Sequence, residues 1–429
     1  MFRSVFSAIL FLLIAAPTPQ PETGWREVLA AAIHRATEKN PRIREAEAQV
    51  EAARHGVALS SILPDPEIEV GLKDMPVRNP SLSRDDFTME MVTGRQRLPA
   101  RGKRSAQLAM AQVGVEGAAA MRAREIVEIA ADTADAFFQL AATDRSLVIL
   151  EESRQRLANA EASATELYKV GKAGQSDVLQ ASLEKTSLEE QLSSLRAERR
   201  AQAARFNSLQ CLPADAPVPR FGSIEPDLAT PAAADLLRQA MNRSPAVSAA
   251  KVEVHRAEQE LELARLESHP DWTLMGYYGR RERFEDLVGL SASIAIPWAH
   301  HGRLDERRAE KEASLAAARA RVEIARNHIQ NEIEAADAEL RKNLEQSRLY
   351  ASSILPQAEI NYRAAREAYA LGKVDFLTLV RAATSLAHYR QEAAMRASGI
   401  GRAVAALQKA SGLPLLPGTP EQGGFHDEK

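Results

Sequence analysis

Residues 168–172 read Tyr-Lys-Val-Gly-Lys, and residues 369–373 read Tyr-Ala-Leu-Gly-Lys, so one turn motif occurs twice, 201 residues apart. A second pair opens the same two halves, with Asn40-Pro41 in the first and Ser244-Pro245 in the second, 204 residues apart. A period this long indicates a duplicated half rather than a solenoid repeat of 20–50 residues. We therefore expect two copies of one structural unit.

Proline clusters and shifts of periodicity divide the chain into five segments. We predict a signal peptide at 1–22, a first repeat at 23–211, a proline-rich connector at 212–231, a second repeat at 232–410 and a disordered tail at 411–429. The first segment has the charge and apolar run of an exported precursor but is too short to span a membrane.

Composition points to long helices and excludes several functions. The 429 residues contain only 5% aromatic residues, which is typical of coiled coils, and a proline-free stretch from about 105 to 167 predicts one very long helix. The net charge of −3 argues against a nucleic-acid partner, and the basic run at 101–104 is interpreted as solvated. A single cysteine excludes an internal disulfide.

Each repeat also contains two runs in which apolar and polar residues alternate, as strands require. The predicted strands are 66–73 and 86–98 in the first repeat and 271–279 and 286–296 in the second. In the second strand we place Met89 and Met91 on the apolar face, and Thr88 and Glu90 on the polar face.

These four strands resemble those of an outer-membrane barrel, which is apolar toward lipid and polar inside. Four strands cannot close a barrel, since the smallest need about eight. Two chains would give eight strands and three would give twelve, and the residues alone leave both open. A soluble coiled-coil protein with two surface hairpins is the other interpretation.

The doubled turn motif, the Pro-bounded hairpins and the Asp-apolar pairs that follow each turn resemble the TolC-like outer membrane factors over about residues 25–412. The resemblance implies a mainly α fold with a membrane β-barrel part. Three chains would form a twelve-stranded barrel that continues into a long antiparallel coiled-coil tunnel. It also implies a homotrimer in outer-membrane lipid that docks to a periplasmic adaptor and an inner-membrane pump of the RND type.

Within that family, Gln96-Arg97-Leu98-Pro99 followed by Gly102-Lys103-Arg104 is similar to the heavy-metal subgroup, the CzcC- and CusC-like proteins. The resemblance implies metal cations as cargo.

No catalytic motif is present, so we expect neither an enzyme nor a cofactor. His300-His301 is the only adjacent histidine pair in the sequence, and it does not predict a metal site by itself.

The repeated turns are the best candidates for a functional site. Glycine permits the positive φ of a tight turn, and the following aspartate can cap the returning helix. By resemblance these turns lie at the periplasmic tip, where a ring of carboxylates would favour cations. The candidate tip and gate residues are Tyr168, Gly171, Lys172, Asp177, Tyr369, Gly372, Lys373 and Asp375.

The sequence therefore predicts a passive exit duct in the outer membrane, which uses no cofactor and receives its cargo from an adaptor and pump. A periplasmic adaptor and a structural coiled-coil protein of the cell envelope are the alternatives.

Overall fold

The computed structural model describes residues 24–171, 174–222, 224, 228, 230–295 and 301–420. The predicted signal peptide, Lys172, His300 and the end of the predicted tail lie outside these residues. Within the described ranges fourteen elements follow one another, and they form two similar halves. They are α1 Trp25–Lys39, α2 Pro41–Ser60, β1 Glu67–Lys73, β2 Met89–Leu98, α3 Lys103–Lys169, α4 Gln175–Leu209, α5 Ala233–Arg243, α6 Pro245–Leu266, β3 Trp272–Arg280, β4 Leu287–Ile294, α7 His301–Leu349, a π-helical turn Tyr350–Ile354, α8 Leu355–Ala370 and α9 Phe376–Ser411.

The four strands form one antiparallel sheet in the order β1-β2-β3-β4. In all three strand pairs, even-numbered residues lie opposite even-numbered residues and odd-numbered residues lie opposite odd-numbered ones. One such row across the sheet is Val70, Val92, Tyr278 and Val288. Side chains alternate across a strand, so all even-numbered residues share one surface, which we call the even face, and all odd-numbered residues share the opposite odd face. The even face is mostly apolar and exposed, whereas the odd face carries most of the charged and hydroxyl side chains.

The even face has the layout of a lipid-facing surface. Val288 and Leu290 are 76% and 89% exposed, although they are large and apolar. Trp272 and Tyr278 lie six positions apart on this face, which corresponds to about 20 Å along the strand. Aromatic residues border the apolar belt of outer-membrane barrels in this way. Within the described residues β1 and β4 each pair on one side only, so the sheet ends in two open edges.

The facing predicted for the second strand is wrong. Met89 and Met91 pair with odd-face positions, while Glu90 lies on the even face beside Leu72 and Arg280. Thr88 precedes the strand and is buried, and its hydroxyl donates to the Asp74 carbonyl at 2.9 Å. The alternation itself was visible in the sequence, but only pairing with neighbouring strands decides which set of side chains faces which side.

The helices form a layer beneath the sheet. Helix α3 has 67 residues, which makes it about 100 Å long. Near the sheet it packs against α2 and α6, and farther away it packs against α4 and α9, while α9 also packs against α7 and α8. The order across the lower layer is thus α4, α3, α9, then α7 and α8. No helix among the described residues is both long and apolar enough to cross a bilayer.

The main core lies where the connector crosses the helices. Phe137 and Phe138 of α3 are fully buried, and the Phe137 ring lies 4.6 Å from that of Phe221 in the connector. Asp144, which is only 1% exposed, binds the Arg199 guanidinium of α4 and accepts a hydrogen bond from the Phe221 backbone N–H at 3.0 Å. This network of hydrogen bonds therefore holds the connector against α3 and α4, the two helices of the first hairpin.

The tail prediction is wrong for residues 412–420. The Gln408 side-chain oxygen accepts hydrogen bonds from the backbone N–H groups of Leu415 and Leu416, each at 3.0 Å. Leu416 is 4% exposed and belongs to the main core. The apolar residues of Leu413-Pro414-Leu415-Leu416 supply a burial signal that outweighs the prolines around them.

The long helix of the second repeat is interrupted. The π-helical turn Tyr350–Ile354 separates α7 from α8, and Pro356 follows in the first turn of α8. Proline lacks the N–H that an uninterrupted helix needs, so Pro356 favours a break at this position. The corresponding part of α3 stays α-helical.

One carboxylate joins the sheet to the helices. Asp271, just before β3, accepts hydrogen bonds from Arg97 at 2.9 Å, from Lys103 at 2.8 Å and from the Ala100 backbone N–H at 2.9 Å. Burial opposes its ionisation, but these three donors outweigh burial and lower the pKa of Asp271 to about 2. Lys103, taken from sequence as part of a solvated basic run, is instead 15% exposed and paired.

We expect Asp271→Asn to destabilise the folded chain by roughly 2 kcal/mol at neutral pH, because the native carboxylate has a depressed pKa. This contribution is present above the unfolded pKa near 3.8 and is lost as pH falls toward 2, so the variant should lose less stability between pH 4 and 2 than wild type does. Denaturant unfolding at several pH values measures both the destabilisation at neutral pH and the loss of stability between pH 4 and 2. Asp65→Asn, in the corresponding exposed loop of the first repeat, is the control, and equal effects of the two substitutions would contradict the assignment.

Candidate gate at the helical tip

Two tight turns close the helical hairpins at the end far from the sheet. Gly171 has φ +72° and Gly372 has φ +69°, a region that favours glycine. The backbone N–H of Gly171 donates to the Tyr168 carbonyl and that of Gly372 to the Tyr369 carbonyl, each at 2.9 Å. The repeated Tyr-x-x-Gly sequence thus builds the same turn twice.

The two aspartates after these turns have different local roles. Asp375 is the N-cap of α9, and its carboxylate accepts from the backbone N–H of Thr378 at 2.9 Å. A hydrogen bond from the Thr378 hydroxyl, and then the one from this N–H, lower the pKa of Asp375 below its usual range. Asp177 does not cap α4, contrary to the expectation, because Gly174 holds the N-cap position and Asp177 lies in the first turn. The interval from glycine to aspartate is three residues longer in the first turn.

The two tyrosines of the motif also differ. Tyr168 is 47% exposed, whereas Tyr369 is 5% exposed and packs edge-on against Phe376 with ring centroids 5.5 Å apart. The Tyr369 hydroxyl has no hydrogen-bond partner among the described residues. Burial, and then the nearby Asp177 carboxylate, raise the pKa of Tyr369. Tyr369 and Asp177 come from different repeats, so the fold brings the two halves of the candidate site together.

A continuous apolar cluster joins the two hairpins above the turns. It contains Ala164 of α3, Ala181 and Leu188 of α4, Ala365 of α8 and Leu379 of α9. Above it the guanidinium of Arg390 on α9 bonds to Glu152 of α3 and to Glu359 of α8, both at 2.9 Å. Lys373 is exposed at the tip.

Sequence reasoning missed several of the residues that join separate elements of the fold. Asp271, Asp144 and Arg390 each link separate elements, and a single sequence does not show which charges meet. Lys103 was visible in the Gly-Lys-Arg run, but its partner lies 168 residues away. Among the described residues no group of three or more His, Cys, Asp or Glu side chains could hold a metal ion.

Comparisons with known proteins agree with this architecture. The sequence profile of the family described as outer membrane efflux protein matches residues 32–209 and again residues 236–413. The cobalt-zinc-cadmium resistance protein CzcC of Cupriavidus metallidurans is 24% identical over 370 residues, which are 83% of each chain.

Solved structures show the same fold. The outer membrane protein VceC of Vibrio cholerae has a TM-score of 0.76 and 18% identity, and the match covers 90% of this chain and 96% of VceC. The Campylobacter jejuni CmeC outer membrane channel has a TM-score of 0.75 and 14% identity, over 99% of this chain and 94% of CmeC. Both are TolC-like, with a barrel above a helical tunnel.

The expected TolC-like fold is confirmed by these matches, and the profile covers most of the chain once in each repeat. Members of this family are channels and not enzymes, and they reside in the outer membrane. With its duplicated halves, its sheet with one apolar face and its paired helical hairpins, the chain belongs to the outer membrane efflux protein family.

Proposed function

We propose that this chain forms, as a homotrimer, the exit duct of a tripartite efflux system, in which a periplasmic adaptor and an inner-membrane pump of the RND type supply the cargo. The observation that carries the proposal is the sheet, which has an exposed apolar even face and two open edges. Unpaired edges inside a bilayer are too costly to persist, so other copies must complete the ring. Three copies give the twelve strands expected from the family resemblance.

The edges of the helical layer support closure by further copies. On α4, Leu179 and Leu183 are 62% and 63% exposed and lie one turn apart. At the opposite edge, Ile360 and Leu371 are 60% and 69% exposed and lie eleven residues apart, which is close to three helical turns. Apolar stripes on both edges favour a ring in which α4 of one copy packs against α7 and α8 of the next.

Heavy-metal cations are the proposed cargo. The CzcC relative is a cobalt-zinc-cadmium resistance protein. The odd face, which would line the barrel, carries carboxylates at Glu67 and Glu69, and both pair with Arg95, at 3.2 and 3.5 Å. Passage through such a duct needs no resident metal site, since cargo must leave as readily as it enters.

The tip residues are proposed to close the duct at its periplasmic end. Three copies would bring the Tyr369 rings and the Asp177 and Asp375 carboxylates toward one axis, where like charges need neighbouring groups to hold them. The eight predicted tip residues are retained as gate candidates, and Tyr369 is the one whose burial and proximity to Asp177 of the other repeat support the role best.

Deleting the gene and restoring it on a plasmid tests the function. We expect the deletion strain to become sensitive to cobalt, zinc or cadmium and the purified protein to form cross-linkable trimers that conduct ions in planar bilayers. A soluble monomer without conductance would contradict the duct, whereas conductance without a change in metal tolerance would contradict only the cargo.

We expect Tyr369→Ala to raise single-channel conductance several-fold, because it removes the buried ring that joins α8 to Phe376 at the tip. Tyr362→Ala is the matched control, since Tyr362 belongs to the same cluster on the same helix but lies about 10 Å farther from the tip. Planar-bilayer recordings give the measurement. Equal conductance of wild type and Tyr369→Ala would place the constriction elsewhere.

A further inference from the structure

A hollow interrupts the apolar even face near the centre of the sheet. Its cavity volume is about 550 Å³. Two neighbouring rows of even-numbered residues wall it, one with Gly94 and Gly276 and the other with Gln96 and Leu274. The odd-numbered row between them points its side chains to the opposite face, so it contributes backbone to the floor. The hollow therefore opens on the surface that faces lipid in the proposed barrel.

The hollow exists because two glycines lie opposite each other. Gly94 of β2 pairs with Gly276 of β3, so neither strand has a side chain at this point. A β-carbon added to Gly94 would meet nothing within 4 Å, whereas one added to Gly276 would lie 3.2 Å from Leu290 Cδ2. Glycine weakens a strand, and in strand interiors it often marks the close approach of a ligand. The open part of the hollow thus lies above Gly94.

The side chains around the hollow suit an apolar ligand. Ile68 and Leu290 bound it on its two sides. Gln96 supplies the polar side chain of the even-face wall, and its amide nitrogen already donates to the Pro64 carbonyl at 2.8 Å. An alkyl chain fits such surroundings, because it needs no hydrogen bond and gains from the burial of its methylene groups.

The depth of the hollow matches the end of a lipid chain that enters from the periplasmic side. Leu98 and Trp272 form the row nearest the helices, and Gly94 lies four residues farther along β2, which corresponds to about 13 Å. This position is close to the middle of an apolar band about 25 Å tall. A lipid whose head group lies at the periplasmic border would therefore reach the hollow with the methyl end of its chain.

A positive charge lies where the head group of such a lipid would be. Arg101 follows β2 by three residues, in the turn that leads to α3, and it is exposed. Lys103 of the same basic run is paired with Asp271, and Arg104 donates to a backbone carbonyl. Arg101 itself has no hydrogen-bond or ion-pair partner within the described part of the chain. A phosphate group is the anion that a membrane offers at this level.

We propose that the hollow and Arg101 together bind a phospholipid of the periplasmic leaflet, with one acyl chain above Gly94 and the phosphate at Arg101. The apolar hollow lies toward the bilayer centre and the charge lies toward the periplasm, which is the order of chain and head group in that leaflet. All four strands that line the hollow belong to one copy, so each copy would hold one lipid. The inference rests on the proposed function, because the even face contacts lipid only in the assembled barrel.

Native mass spectrometry of the delipidated trimer with added dipalmitoyl phosphatidylglycerol measures the binding. We expect one lipid per copy in wild type and about ten-fold weaker binding to Gly94→Leu, because the new side chain fills the hollow. Leucine is favourable on a lipid-facing surface, so this variant should assemble. Dihexanoyl phosphatidylglycerol, whose chains are too short to reach Gly94, should bind wild type and this variant alike.

Gly71→Leu is the matched control. Gly71 is also a strand glycine whose added β-carbon would meet nothing within 4 Å, but it lies on the odd face, opposite Met91. The substitution should change binding of the dipalmitoyl lipid less than about two-fold, because the hollow stays open.

The variant Arg101→Ala tests the head-group contact. We expect about ten-fold weaker binding of dipalmitoyl phosphatidylglycerol and unchanged binding of dipalmitoylglycerol, which has no phosphate. Arg326→Ala removes the same charge from an exposed position of α7, roughly 38 Å along the helix from its start, and should bind both lipids as wild type does.

Three results would overturn the inference: no retained lipid in wild type, equal binding to Gly94→Leu and Gly71→Leu, or an equal effect of Arg101→Ala on the two lipids. The trimer mass and the planar-bilayer conductance of the same preparations separate this failure from that of the proposed function. A trimer that conducts but binds no lipid at the hollow keeps the duct and removes only the lipid site.

Discussion

Leu290→Arg should abolish assembly of the duct in the membrane, at a cost of about 2–4 kcal/mol per copy if the residue lies near the bilayer midplane. Leu290 lies in the middle of β4 on the even face and is 89% exposed in the single chain. An arginine there would face hydrocarbon without a partner, whereas leucine is favourable in that environment. Heat-resistant trimers on semi-native gels and the outer-membrane fraction of cells give the measurement.

Ser291→Arg is the matched control for this substitution. Ser291 is the next residue on the same strand, and it lies on the odd face opposite Met275. Its side chain would face the water-filled lumen, where an arginine is tolerated. If both variants assemble to the same extent, or if only Ser291→Arg fails, the assignment of the two faces is wrong.

Asp144→Ala should lower the free energy of unfolding by about 3–5 kcal/mol, because it removes one partner of a buried ion pair. The substitution leaves Arg199 without its counter-charge and the Phe221 N–H without its acceptor. The connector would then detach from the first hairpin. Denaturant midpoints measure the loss of stability, and faster tryptic cleavage after Arg220, an exposed connector residue, would show that the connector has detached.

Asp132→Ala on the same helix provides the comparison. Asp132 pairs with Lys409 at 3.0 Å, but the two side chains are 33% and 46% exposed. Such surface pairs contribute about 0.2–1 kcal/mol. A similar loss of stability in the two variants would mean that burial of Asp144 does not decide its effect.

The sequence predicted the elements well because their signals are local. The alternation at Ile68, Val70 and Leu72 identifies a strand by itself, and Gly171 and Gly372 mark turns that the backbone adopts with positive φ. Features that depend on residues distant in sequence were not predicted. The facing of Met89 requires the ladder with β1 and β3, and the role of Lys103 requires Asp271.

At the candidate tip, too, local features could be predicted from the sequence and features that depend on distant residues could not. The capping role of Asp375 follows from its position three residues after the turn glycine. The different position of Asp177 follows from a longer turn, and repeat symmetry concealed that difference. The burial of Tyr369 against Phe376, and its proximity to a carboxylate of the other repeat, depend on packing between hairpins that no motif encodes.

The single π-helical turn has a consequence for stoichiometry. A duplicated chain repeated three times would approximate six-fold symmetry, and the tip turns, which occur in both repeats, would be present six times around the axis. Among the described residues the π-helical turn Tyr350–Ile354 has no counterpart in the first repeat, so everything built on it would be present three times. A partner that contacts this π-helical turn should saturate at three copies per duct, whereas one that contacts only the Tyr-x-x-Gly turns could bind six.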